Sequence, residues 1–119
     1  MPETLRVLIV EDSLNDADLV VRELERGGYA VTYERVQTAD AMQAALTSSR
    51  WDVVLSDYHM PGFSAPAALA VLRATGMDLP FLIVSGTIGE DAAVGALKAG
   101  ANDFLVKDRL ARLVPAIDR

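Results

Sequence analysis

The chain contains no cysteine and a single histidine. Disulfides and thiolate metal centres are therefore excluded, as is any site built from several imidazoles. A hard cation held by carboxylate oxygens remains open. Aromatic residues make up only 6% of the chain against 51% apolar residues overall, so the core must be aliphatic and rich in alanine. Basic residues are few: 11 lysines and arginines face 17 aspartates and glutamates, and the net charge of −6 argues against direct nucleic-acid binding. No apolar run approaches the roughly 20 residues that span a bilayer. The opening Met1-Pro2-Glu3-Thr4 has neither the basic start nor the apolar stretch of a signal peptide. A cytoplasmic protein without a membrane partner is expected, and 119 residues suffice for one core.

What the chain does have is a set of apolar runs that end on chemically useful residues. Leu5 to Val10 runs into Glu11-Asp12, and Val53 to Ser56 ends on Asp57. Phe81 to Val84 ends on Ser85, and Asp103 to Val106 ends on Lys107. Short β-branched runs over 6–10, 31–36, 53–57, 81–85 and 103–106 predict strands. Their continuous apolar character predicts cover on both faces. Between them, helical spacing predicts helices over 14–26, 39–49, 64–75, 89–99 and 109–119. Gly27-Gly28 stops the first helix, Ser64 caps the third with Pro66 in its first turn, and Glu90-Asp91 suits the positive end of the fourth. No internal repeat or linker is visible. The alternation predicts an α/β fold, a single (βα)5 flavodoxin-like doubly wound parallel sheet of order 2-1-3-4-5. In such a sheet the strand ends share one rim, where ligands bind.

That order makes the first and third strands neighbours, so Asp12 and Asp57 should reach one shared ion. Crowded carboxylates repel unless a cation compensates, and Mg²⁺ (or Mn²⁺) suits an oxygen-only set. The alternative for Glu11 and Asp12 is helix capping, with Ser13 competing for that role. Asp57 is the candidate nucleophile, because a carboxylate attacking phosphorus gives an acyl phosphate; alone, it could equally start the turn to Gly62. Lys107 would neutralise charge on a transferring group, or else be a solvated surface lysine. Ser85 could contact a phosphoryl oxygen beside Gly86, or start a turn. Phe104 is most simply a core residue.

As a set, Glu11-Asp12, Asp57 followed by Met60-Pro61, Ser85 and Lys107 resemble a response-regulator receiver domain of two-component signalling, over essentially the whole chain. The resemblance implies that Asp57 accepts a phosphoryl group from a sensor histidine kinase or a phosphotransfer protein. Asp12, Asp57 and the backbone carbonyl of His59 would hold the metal, with Glu11 acting through water. Lys107 would pair with the phosphoryl oxygens, Ser85 would draw its loop inward, and Phe104 would be the aromatic switch. His59 and Thr87 match positions that tune phosphoryl lifetime, although His59 also reads as a turn residue. The output surface, and a possible homodimer contact, would be the fourth helix, fifth strand and fifth helix.

Three positions depart from the family pattern. Asp108 follows Lys107 where proline is usual, so a cis bond there would cost about 2.5–4 kcal/mol, and Asp108 is a possible resting partner of Lys107. Ala65 stands where glycine is usual, and Phe104 lacks a hydroxyl. The run Val84 to Glu90 with Lys107-Asp108 resembles receivers at the front of multidomain sensor kinases or cyclic-nucleotide signalling proteins. The uncapped final helix likewise leads us to expect residues 1–119 to be the N-terminal receiver of a longer protein with an output domain. Self-catalysed phosphorylation and dephosphorylation are expected, not enzymatic turnover. Two other classes compete: a receiver-like interaction module that signals without phosphate, and an aspartyl phosphatase. The acidic set argues against the first. Glu11-Asp12-Ser13-Leu14 lacks the second Asp that the phosphatase pattern requires.

Overall fold

The computed structural model describes residues 3–58, 60–86, 90–107 and 109–118. The elements run β1 (Glu3–Val10), α1 (Leu14–Arg26), β2 (Tyr29–Val36), α2 (Ala39–Ser48), β3 (Val53–Ser56), α3 (Ala65–Ala74), β4 (Phe81–Ser85), α4 (Glu90–Lys98), β5 (Asp103–Val106), a 3₁₀ turn (Leu110–Arg112) and α5 (Leu113–Asp118). The strands form one parallel sheet in the order β2-β1-β3-β4-β5, as the apolar pattern predicts.

Successive side chains of each central strand point to opposite faces and feed two separate cores. Leu8, Val10, Val54, Phe81 and Ile83 pack with Met42 and Leu46 of α2, Leu69 and Leu72 of α3, and Ala96 of α4. Val7, Ile9, Val53, Leu55, Leu82 and Val84 pack with Ala17, Val20 and Leu24 of α1 and Leu113 of α5. Every residue of β3 and β4 is buried, which is why those runs are apolar up to the serine that ends each. Truncating a fully buried leucine such as Leu8 or Leu72 to alanine would cost about 2–5 kcal/mol.

Cover on both faces does not extend to every strand. β2 begins at Tyr29, earlier than expected, and is exposed or only half-buried until Val36, while Val106 of β5 is exposed. Both are edge strands, with only one neighbour each. Polar residues such as Thr32, Glu34 and Arg35 discourage pairing with another chain along such an edge.

Hydroxyl caps start three helices. Ser13 Oγ accepts from Asp16 N–H at 3.2 Å, Thr38 Oγ1 from Ala41 N–H at 3.1 Å, and Ser64 Oγ from Ala67 N–H at 3.4 Å. α1 is therefore capped by Ser13 and not by Glu11 or Asp12. Gly28 (φ +101°) makes the reversal into β2, and Gly62 (φ +77°) the turn after Asp57. Ala65 needs no such freedom: among the described residues no non-glycine has positive φ, and Ala65 opens α3 with its N–H on the Tyr58 carbonyl at 3.2 Å.

The final helix differs from expectation. It begins as a 3₁₀ turn and becomes α-helical only at Leu113. Pro115 has no N–H for the carbonyl of Ala111, so the α ladder cannot run unbroken through this point. No helix among the described residues is long and apolar enough to cross a membrane.

Candidate functional site

The site is built one residue beyond the strands, and ladder hydrogen bonds set it there. Glu11 N–H donates to Val36 O at 3.0 Å, Asp57 N–H to Val10 O at 2.9 Å, and Lys107 N–H to Ser85 O at 2.8 Å. Each backbone is thus tied to a neighbouring strand, and the side chains converge at the C-terminal rim. Glu11, Asp12 and Asp57 each place one carboxylate oxygen so that the three lie within 4.8 Å of one another.

Lys107 reaches across this rim to three carboxylates. Its Nζ lies 2.6 Å from Asp16 Oδ2, 2.8 Å from Glu11 Oε2 and 3.4 Å from Asp57 Oδ2. The solvated-lysine reading is thereby set aside. Asp57 Oδ1 accepts the N–H of Tyr58 at 2.7 Å. Glu11 Oε1 accepts the N–H of Ser13 at 3.1 Å, and Arg35 Nη1 donates to the Glu11 carbonyl at 3.0 Å.

Burial divides the acidic pair after β1. Asp12 is exposed, whereas Glu11 is buried. Burial pushes the Glu11 carboxyl up to about 7, against the lowering effect of hydrogen bonds from Lys107 and Ser13; the Asp57 charge raises it further. For Lys107, burial favours the neutral form, but the hydrogen bonds to Asp16 and Glu11 outweigh it and hold the ammonium above its usual range. Four carboxylates around one ammonium leave the rim net negative. Hard oxygen donors with an excess of negative charge are what a divalent cation of the Mg²⁺ type requires, so these residues fit one.

Ser85 ends β4 fully buried and joins the rim through its carbonyl bond to Lys107. Phe104 is half-buried and packs against the core cluster that contains Ile83 and Ala96. His59 and Thr87 lie outside the described residues, and so does Asp108. Trp51, buried two residues before β3 with its Nε1 donating to Ala45 O at 2.9 Å, lies beyond the opposite end of the strand from Asp57.

Sequence reasoning missed two residues at the rim, Asp16 and Arg35. Asp16 sits in the first turn of a helix that starts at this rim, one residue before buried Ala17. That placement on the border of the apolar face is the signal that could have marked it.

A doubly wound parallel sheet with a carboxylate trio and a convergent lysine at its C-terminal rim defines an α/β domain whose ligand site lies at the strand ends. Comparison with known proteins is more specific. The model of the response regulator receiver domain matches residues 7–118, and this chain belongs to that family. It is 38% identical over 106 residues to the transcriptional regulatory protein PrrA of Mycobacterium tuberculosis, covering 86% of this chain and 43% of PrrA. It is 33% identical over 103 residues to the swarming motility regulation protein RssB of Serratia marcescens, covering 87% of this chain and 46% of RssB. The chain thus spans less than half the length of these curated relatives. Among solved structures, it resembles the signal receiver domain of NarL from Mycobacterium tuberculosis, with a TM-score of 0.79 at 30% identity, covering 99% of this chain and all of that one. A LuxR-family two-component response regulator from Aurantimonas gives a TM-score of 0.84 at 28% identity, covering 98% of this chain and 84% of that one.

Proposed function

We propose that this domain is a phosphoacceptor switch in a two-component relay. Asp57 takes a phosphoryl group from a phosphohistidine of a sensor histidine kinase or phosphotransfer protein. The observation that carries this reading is the convergence of Glu11, Asp12 and Asp57 within 4.8 Å, with Lys107 Nζ at 3.4 Å from Asp57.

An Asp57 carboxylate oxygen attacks phosphorus, the P–N bond breaks, and its electron pair returns to the imidazole, which leaves as neutral histidine after protonation. Asp12 and Asp57, with Glu11 behind them, would hold Mg²⁺ or Mn²⁺, which supplies positive charge to the non-bridging oxygens in the transition state. Lys107 adds a second cation to the same rim. The reaction is a single self-catalysed transfer, followed by self-catalysed hydrolysis, and not enzymatic turnover.

The added charge biases the loop after Ser85 and the packing of Phe104, and the α4-β5-α5 surface carries the change outward. Val94, Leu97 and Val106 give that surface exposed apolar groups for an output domain of a longer chain or for a second copy. A cytoplasmic setting goes with this role, and so does the absence of direct nucleic-acid contact.

With Mg²⁺ and acetyl phosphate, the intact mass rises by one phosphoryl group, and Asp57→Asn abolishes the gain. A wild-type chain left unmodified by every donor and divalent metal tried would overturn the reading.

A further inference from the structure

Asp16 enters the rim from a helix, not from a strand end, and it is the nearest of the three carboxylates to Lys107 Nζ. The distances are 2.6 Å to Asp16, 2.8 Å to Glu11 and 3.4 Å to Asp57. The ammonium is therefore drawn toward α1 and away from the proposed phosphoacceptor. The Asp16 backbone is anchored, because its N–H is bonded to the Ser13 cap at 3.2 Å and Ala17, Val20, Val21 and Leu24 bury the rest of that helix face. The Asp16 side chain is the more exposed of the pair, 35% against 17% for Lys107. The Asp16 oxygen is the closest that Nζ holds, so movement of the ammonium toward an acceptor on Asp57 lengthens that contact.

We propose that Asp16 is a positioning residue that holds Lys107 toward α1 and competes for it with a phosphoryl group on Asp57. The inference rests on the phosphoacceptor reading above. A phosphoryl group adds about −1.5 to −2 charge and strong acceptor oxygens beside an ammonium that already has a close partner. Pairing with it requires the Asp16 contact to loosen, so Asp16 weakens the phosphorylated state. It also ties the start of α1 to the end of β5, two elements 91 residues apart in sequence.

The test measures the affinity of the Mg²⁺-loaded domain for beryllofluoride, a stable mimic of the phosphoryl group, by titration calorimetry. Asp16→Asn keeps the side chain's shape and removes its charge. It binds beryllofluoride about fivefold more tightly than wild type, the size of a partly exposed ion pair. Asp16→Glu, which restores the charge, returns the affinity to within about twofold of wild type on the same scale. A general loss of negative field would also favour an anion, and Lys107→Gln separates the two causes. In that background Asp16→Asn changes the affinity by less than about twofold if Asp16 acts through Lys107. An Asp16→Asn variant that binds no more tightly than wild type overturns the proposal. So does a full gain in the Lys107→Gln background, or an Asp16→Glu variant that binds as tightly as Asp16→Asn. A wild-type chain that takes no beryllofluoride at any Mg²⁺ concentration removes the phosphoacceptor reading and this proposal with it. Normal wild-type binding with an unaffected Asp16→Asn removes only the role of Asp16.

Discussion

Replacing Lys107 with methionine tests the electrostatic account of the rim most directly. The substitution keeps the apolar stem and removes the one cation shared by Glu11, Asp16 and Asp57. Glu11, only 4% exposed, then loses the ion pair that its carboxylate makes with Lys107. Removing one partner of a buried pair costs about 3–5 kcal/mol. Lys107 and Asp16 keep some contact with water, which lowers the expected loss to about 2 kcal/mol at pH 8. For a chain of this length that is a fall of about 8 °C in Tm. The loss should depend on pH with a definite sign. Glu11 titrates near 7 in the fold against 4.5 as a free side chain, so the folded state holds an extra proton between those values. Metal-free stability therefore falls as pH rises through that window, on the order of 3 kcal/mol across it for this one group. At pH 5.5 Glu11 is protonated with or without Lys107, and the variant should lose less than about 1 kcal/mol. Saturating Mg²⁺ at pH 8 should recover most of the loss, because a bound divalent ion replaces the missing charge. Urea denaturation followed by circular dichroism, at both pH values and with and without Mg²⁺, makes the measurement. Equal losses at pH 5.5 and pH 8, insensitive to Mg²⁺, would refute the reasoning.

Two further outcomes follow from the same structure. If the rim binds Mg²⁺ as proposed, the ion must displace the Glu11 proton, so calorimetric affinity should weaken as pH falls below 7, by at most about tenfold per unit; a flat profile from pH 8 to pH 6 would sink this linkage. Gly27→Ala places a methyl 2.5 Å from Val114 Cγ2, where the end of α1 meets α5, and should cost about 1–3 kcal/mol by overpacking. The double variant Gly27→Ala, Val114→Ala should lose less than the sum of the two single losses, and strict additivity in urea melts would show that no clash exists.

Much of this architecture is written in apolar run lengths. Val53 to Leu55 and Phe81 to Val84 are apolar without interruption because they lie in the middle of the sheet, and they were legible as strands for that reason. β2 was harder to read. Its exposure follows from lying at an edge, a property of the sheet and not of the eight residues themselves. The 3₁₀ start of the last helix was legible in principle, since Pro115 removes the donor an α ladder needs there.

The site divides along the same line. Glu11, Asp12, Asp57, Ser85 and Lys107 could be found from sequence because each ends or follows an apolar run, and parallel strand ends must share a rim. Local chemistry determined that carboxylates and an ammonium would meet. Only the tertiary structure decided which carboxylate of the Glu11-Asp12 pair is buried, and therefore which one is pushed to about 7. It also decided that Lys107 pairs most closely with Asp16, a residue that looks in sequence like any acid in the first turn of a helix. The reason is physical. Strand ends are set by local hydrophobic pattern, whereas the partner of a long side chain and the water around a carboxylate depend on which distant segments pack beside them.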